Sequence, residues 1–172
     1  MLIIFSGLPG TGKSTIAHLL AERLKAVYLR IDTIEQAIRS ADSEGENMAM
    51  GPTGYIIAYE VARENLRIGS TVITDSVNPM ALTRNAYRDV ALSVNVPFLD
   101  VEIICSNLDE HRLRVENRTP DIKGFTLPDW QKVINRHYEP WDRIHLQLDT
   151  AKLSAIQCVD KIIALSPVNS GH

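Results

Sequence analysis

Residues 7–15 read Gly7-Leu8-Pro9-Gly10-Thr11-Gly12-Lys13-Ser14-Thr15, directly behind the apolar run Leu2-Ile3-Ile4-Phe5. Ile16, Leu19, Leu20 and Leu24 follow at helical spacing, so the stretch predicts a strand, a glycine turn and an amphipathic helix. The glycines let backbone N–H groups approach an anion with no Cβ in the way. The helix start adds unpaired N–H donors and the positive end of its dipole. Lys13 is the decisive residue, because a cation at a helix N-terminus opposes that dipole and is unfavourable as mere structure. A polyphosphate bound there accounts for it. The pattern G-x-x-x-x-G-K-[ST] is met by Gly7, Gly12, Lys13 and Ser14, and Ser14 offers a hydroxyl to the Mg²⁺ that accompanies a nucleoside triphosphate. Gly7, Leu8, Pro9, Gly10, Thr11, Gly12, Lys13, Ser14 and Thr15 are therefore expected to hold the nucleotide, with Lys13 also serving the reaction.

Outward from this turn, strand-length runs recur at Ala26–Ile31, Thr71–Thr74, Leu99–Ile104 and Ile144–Leu148. Between them lie helical periods, such as Ile57, Ala58, Val61 and Ile68, and Ile156, Val159, Ile162 and Ile163. Strands alternating with helices predict an α/β fold, a parallel sheet covered on both faces in a three-layer α/β/α arrangement. With 172 residues and 45% hydrophobic content, the chain suits one domain spanning 1–172. Two long loops interrupt the rhythm: an acidic one at 40–54 and a proline-bounded one at 119–128. Loops of this length inside a compact domain are commonly functional, and the second is expected to act as a lid.

A net charge of -3 provides no footprint for a long polyanion, so nucleic acid is not the expected partner. No apolar stretch reaches the roughly 20 residues of a membrane span, the apolar start is too short for a signal peptide, and a cytoplasmic location is expected. Cys105 and Cys158 sit in apolar stretches without metal-ligand spacing and read as reduced core residues.

Ligands of open α/β sheets bind outside the carboxyl ends of the strands, where two aspartates fall. Asp75 closes the third run and is expected to serve the metal alongside Ser14. Asp32 follows the second run, placed to accept a proton from an attacking hydroxyl; with Thr33 and Glu35 it also reads as a helix start. Asn78-Pro79 suggests a capped helix beginning at Pro79. In the stretch 109–118, His111, Arg114 and Arg118 fall on one helical face. Arg114 is expected on the nucleotide and Arg118 on the transferred phosphoryl group, delivered by the lid. A short helix is expected at Asp129–His137, and the aromatic pair around Pro140 as a packed corner.

Taken together, GLPGTGKST, the aspartate at 32, ITDSVNP (73–79), HRLRVENR (111–118) and LPDW…YEPWD (127–142) resemble the small P-loop kinases grouped with AAA-type ATP-binding proteins. That group is related to zeta toxins, chloramphenicol phosphotransferase, gluconate kinase and polynucleotide 5'-hydroxyl kinase domains. The resemblance implies ATP and Mg²⁺ as cofactors, a P-loop NTPase fold with a five-stranded sheet of order 2-3-1-4-5, and a lid between the fourth and fifth strands. By similarity, Asp32 matches the catalytic aspartate, and Arg114 with Arg118 match the lid arginines. Polynucleotide-kinase relatives carry an arginine three positions after that aspartate; here it is Glu35. A glutamate there would repel an anionic acceptor, which favours a neutral or cationic small molecule bearing a hydroxyl. The acids of the 40–54 loop, Asp42, Glu44 and Glu46, point the same way. A polynucleotide 5'-hydroxyl kinase and a nucleotide-hydrolysing switch are the alternatives.

Overall fold

The structure, a computed structural model, describes residues 1–41 and 51–166. Asp42, Glu44 and Glu46, and with them most of the expected acceptor-side loop, lie outside the described residues. In chain order the elements are β1 (Leu2–Ser6), α1 (Lys13–Leu24), β2 (Val27–Arg30), α2 (Ile31–Ala41), α3 (Thr53–Arg67), β3 (Val72–Asp75), α4 (Ala81–Ser93), β4 (Phe98–Ile104), α5 (Leu108–Glu116), α6 (Trp130–Ile134), β5 (Leu146–Asp149) and α7 (Ala155–Leu165).

The five strands form one parallel sheet in the order β2-β3-β1-β4-β5, the P-loop NTPase arrangement. β1 is central, and all five of its residues are buried, which is why its sequence is a continuous apolar run and not an alternating one. Its side chains divide between the two faces. Ile3 and Phe5 pack with Ile16, Leu20, Val159 and Ile162 from α1 and α7. Leu2 and Ile4 pack with Ala58, Ala62, Tyr87 and Val90 from α3 and α4. Cys105 and Cys158 are buried free thiols. Because every strand runs the same way, the carboxyl ends Ser6, Arg30, Asp75, Ile104 and Asp149 share one edge of the sheet.

Several boundaries differ from the sequence expectation. α5 ends at Glu116 with Asn117 as its C-cap, so Arg118 lies beyond the helix and does not share a helical face with His111 and Arg114. The last strand starts at Leu146, not Ile144, whose side chain is 99% exposed. α4 begins at Ala81. Asn78 caps nothing: it adopts φ 46°, and its buried side-chain amide donates to the Phe5 carbonyl at 3.0 Å, binding the β3 exit to β1. α6 ends at Ile134, after a proper N-cap in which the Asp129 carboxylate accepts the Lys132 N–H at 2.8 Å. The Pro140 corner is packed: the guanidinium of buried Arg84 stacks 4.4 Å from the Trp141 ring and donates to the carbonyls of Asn78 and Glu139.

Arg88 and Asp100 form a buried pair at 2.7 Å. Arg88→Ala leaves that carboxylate unpaired and is expected to lower stability by about 3–5 kcal/mol, read from urea unfolding. At the sheet edge, the Asp149 carboxylate accepts the Ser106 hydroxyl at 2.6 Å, the Ser106 N–H at 3.0 Å and the Ala151 N–H at 3.1 Å. These bonds hold its carboxyl below the ordinary carboxylate range. The stabilisation is complete above about pH 4, where the unfolded carboxylate is ionised, and fades as pH falls through the lower folded value. Asp149→Asn should therefore flatten the acid limb of the stability-versus-pH curve.

Candidate active site

The turn between β1 and α1 has the backbone its glycines require. Gly10 and Gly12 sit at φ 83° and 91°, a region other residues adopt only with strain. A Cβ on Gly10 would stand 2.4 Å from the Val115 methyl of α5, so a side chain there would push the turn and α5 apart. Gly12 is the N-cap of α1 and has no side-chain cap bond; the first N–H groups of the helix are left to whatever enters the cleft.

Around this turn, β3 supplies Asp75 from beneath. Lys13, 8% exposed, places Nζ 3.4 Å from Asp75 Oδ1, and the Tyr28 hydroxyl donates to Asp75 Oδ2 at 2.7 Å. Burial by itself would raise the Asp75 carboxyl, but Lys13, hydrogen bonds from Ser14 and Tyr28, and Arg30 outweigh it and keep the group below its ordinary value. Burial and the neighbouring Asp75 push the Tyr28 phenol far up, so it stays a donor. Lys13, Ser14 and Asp75 thus meet at one point of the sheet edge. The pairing of a hydroxyl with an ionised carboxylate suits a hard cation. Among the described residues no group of three or more His, Cys, Asp or Glu side chains could hold a metal, so a Mg²⁺ at Ser14 and Asp75 would draw its other ligands from phosphate and water.

On the α5 side, Arg114 donates from Nη1 to the Thr150 hydroxyl at 2.7 Å and from Nη2 to the Thr150 carbonyl at 3.1 Å. Thr150 in turn donates to the Thr11 carbonyl at 2.8 Å. Arg114 therefore sits beside Gly12, tied to the turn through the end of β5. Its Glu110 partner and the Arg112–Glu116 pair are ordinary i,i+4 contacts. Arg118 lines the same cleft from the loop after α5.

Thr150 and Arg30 escaped the sequence reading, and His111 was placed on its helical face without a role. His111 is buried, with Nε2 2.8 Å from the Pro9 carbonyl. A carbonyl only accepts, so Nε2 carries the proton, and α5 is pinned to the turn through it. Helical spacing put His111 on the right face without showing what it would touch. Thr150 follows β5 by a single residue and carried no motif. Arg30 ends β2 and was read as part of an apolar run; its guanidinium lies among Asp32, Asp75 and Asp121.

The cleft measures about 1080 Å³, above the range of about 300–1,000 Å³ usual for one small ligand. Gly12, Arg114 and Thr150 line it, as do Asp32, Glu35, Arg136 and the loop residues Gly124 and Phe125. Asp32 lies in the first turn of α2. Glu35 pairs with Arg39 at 3.5 Å; burial and neighbouring Asp32 raise its carboxyl, while Arg39 and Arg136 act against that rise. No helix among the described residues is long and apolar enough to cross a membrane.

The adenylyl-sulfate kinase of Picosynechococcus sp. (strain ATCC 27264 / PCC 7002 / PR-6) is 30% identical over 138 residues, covering 71% of this chain and 71% of that protein. Among solved structures, a Mycobacterium tuberculosis APS kinase in complex with AMPPNP and APS superposes with TM-score 0.69 at 24% identity, covering 95% of each chain. A sugar kinase from Janibacter sp. HTCC2649 superposes with TM-score 0.68 at 17% identity, covering 99% of this chain and 98% of that one. A sequence model described as AAA domain matches residues 2–140, and the chain accordingly belongs to that family, as a P-loop kinase domain.

Proposed function

We propose that this protein transfers the γ-phosphoryl group of ATP to a hydroxyl of a small molecule. The observation that carries the reading is the shared cleft, lined both by Lys13 and Ser14 of the phosphate turn and by Asp32, with a volume of about 1080 Å³ that leaves room for two ligands. Adenine as the base is supported by the similar Mycobacterium tuberculosis APS kinase, which is seen in complex with AMPPNP.

In this reading the turn and Lys13 cradle the phosphates, Ser14 and Asp75 hold Mg²⁺, and Arg114 lies along the nucleotide. Bound there, Mg²⁺ would neutralise charge on the phosphate oxygens. Asp32 takes the proton of the acceptor hydroxyl as its oxygen bonds to the γ-phosphorus, while the bond to the bridging oxygen breaks and ADP leaves with that electron pair. Arg118, in the loop after α5, stabilises the equatorial oxygens. The net charge of -3 argues for a small acceptor over a polynucleotide. Glu35 is paired with Arg39, and Arg136 lines the same cleft, so an acceptor carrying its own charge is compatible with it.

Asp32→Asn is expected to lower acceptor-dependent ATP turnover by about 10²–10⁴-fold, the worth of a general base, with nucleotide affinity unchanged by calorimetry. Full activity in the Asp32→Asn variant would remove the base assignment, and turnover that needs no acceptor in a panel of sugars, nucleosides and aminoglycosides would favour a hydrolytic switch. Lys13→Ala should instead weaken ATP binding itself, separating phosphate holding from proton transfer.

A further inference from the structure

Arg30 is the last residue of β2, with a side chain only 10% exposed. Both of its terminal nitrogens bond Asp121: Nη2 reaches Oδ1 at 3.1 Å, and Nη1 pairs with Oδ2. Asp121 belongs to the proline-bounded loop between α5 and α6. The same guanidinium stands 3.8 Å from Asp32 Oδ2 and 4.0 Å from Asp75 Oδ2, and its buried Nε makes no hydrogen bond. One cation therefore lies among three carboxylates and hydrogen-bonds only the one carried by the loop. A forked guanidinium bonds a carboxylate through two parallel contacts, a geometry that holds both partners in one orientation. Turned the other way, that fork would bond Asp75, whose oxygens already face Lys13 and Tyr28, and would compete with any cation at Ser14 and Asp75.

We propose that Arg30 is a positioning residue joining the lid to the strand-end acids: docking of Asp121 holds the guanidinium on the lid side and leaves Asp75 and Asp32 to the metal and the acceptor. The roles of those two acids rest on the phosphoryl-transfer reading; the joint itself does not. The contact also makes lid position and metal affinity a single coupled property. Removing the lid carboxylate frees Arg30 to turn on Asp75, whereas removing Arg30 takes away a competitor of the metal. The two substitutions therefore loosen the lid alike but move metal affinity in opposite directions, which a purely structural clamp would not do.

The test uses the full chain as wild type, Arg30→Gln, Asp121→Asn and the double variant. Amide hydrogen exchange of residues 119–128 is followed by mass spectrometry, and Mn²⁺ binding in the presence of AMPPNP by electron paramagnetic resonance. Each single variant should speed exchange of the loop by about tenfold, the size of one charge-assisted contact, and the double variant no further. Mn²⁺ affinity should fall in Asp121→Asn and rise in Arg30→Gln. Unchanged loop exchange, additive effects in the double variant, or Mn²⁺ affinity moving the same way in both singles would overturn the proposal. If the glutamine variant does not fold, Arg30→Lys keeps the charge but not the fork: it should speed loop exchange without raising Mn²⁺ affinity, and a rise in Mn²⁺ affinity there would overturn the proposal. If the joint behaves as stated while ATP turnover needs no acceptor, the coupling stands and the phosphoryl-transfer reading falls.

Discussion

The arrangement depends on one buried ion pair, Lys13 with Asp75. It joins the first residue of α1 to the last residue of β3, and so fixes where the phosphate turn sits relative to the sheet edge. A buried pair of this kind persists only if its remaining donors and acceptors are satisfied, and here Tyr28 and Ser14 complete the shell of the carboxylate. The pair also brings a cation and an anion of opposite roles to one point, the first suited to phosphate and the second to a metal. Binding chemistry and fold are therefore specified by the same two residues.

Around that point the turn is held from three directions by contacts that involve no ligand. Gly7 N–H donates to the Val77 carbonyl at 3.1 Å, His111 holds the Pro9 carbonyl from α5, and Thr150 holds the Thr11 carbonyl from the end of β5. Each uses a backbone carbonyl or amide of the turn itself, leaving the helix-start N–H groups pointing into the cleft. A rigid cradle of this type can present several donors to phosphate oxygens without reorganising. Arg30 and Asp121 tie the 119–128 loop to the end of β2 in the same way, through a largely buried guanidinium and an exposed carboxylate.

Much of this was legible before any coordinates. The continuous run Leu2–Phe5 announced a central parallel strand, the helical spacing after Thr15 announced α1, and the cost of a lysine at a helix start pointed to phosphate. The placement of Asp32 and Asp75 at the carboxyl edge of the sheet followed from the rule that strand ends of a parallel α/β sheet share an edge. The errors fell where local chemistry was ambiguous. Asn78 looked like a helix cap because asparagine before proline favours that role, yet its amide is used across the sheet on Phe5. Helical periodicity carried α5 through to Arg118, although the chain leaves the helix at Asn117 with nothing in its apolar pattern to mark the exit.

What the amino-acid order determined on its own was everything carried by neighbours in the chain: the turn, the helix it feeds, the strand–helix alternation and the residue types that end the strands. Those features depend on backbone conformational limits and hydrophobic period, both local. What only the tertiary structure decided was which charges meet. Arg30 is separated from Asp121 by most of the domain in sequence, His111 from Pro9, and Thr150 from Thr11, and no spacing rule links them. Electrostatic and hydrogen-bond partnerships act over a few ångströms in space, so they exist only once the parallel sheet has gathered its carboxyl ends along one edge.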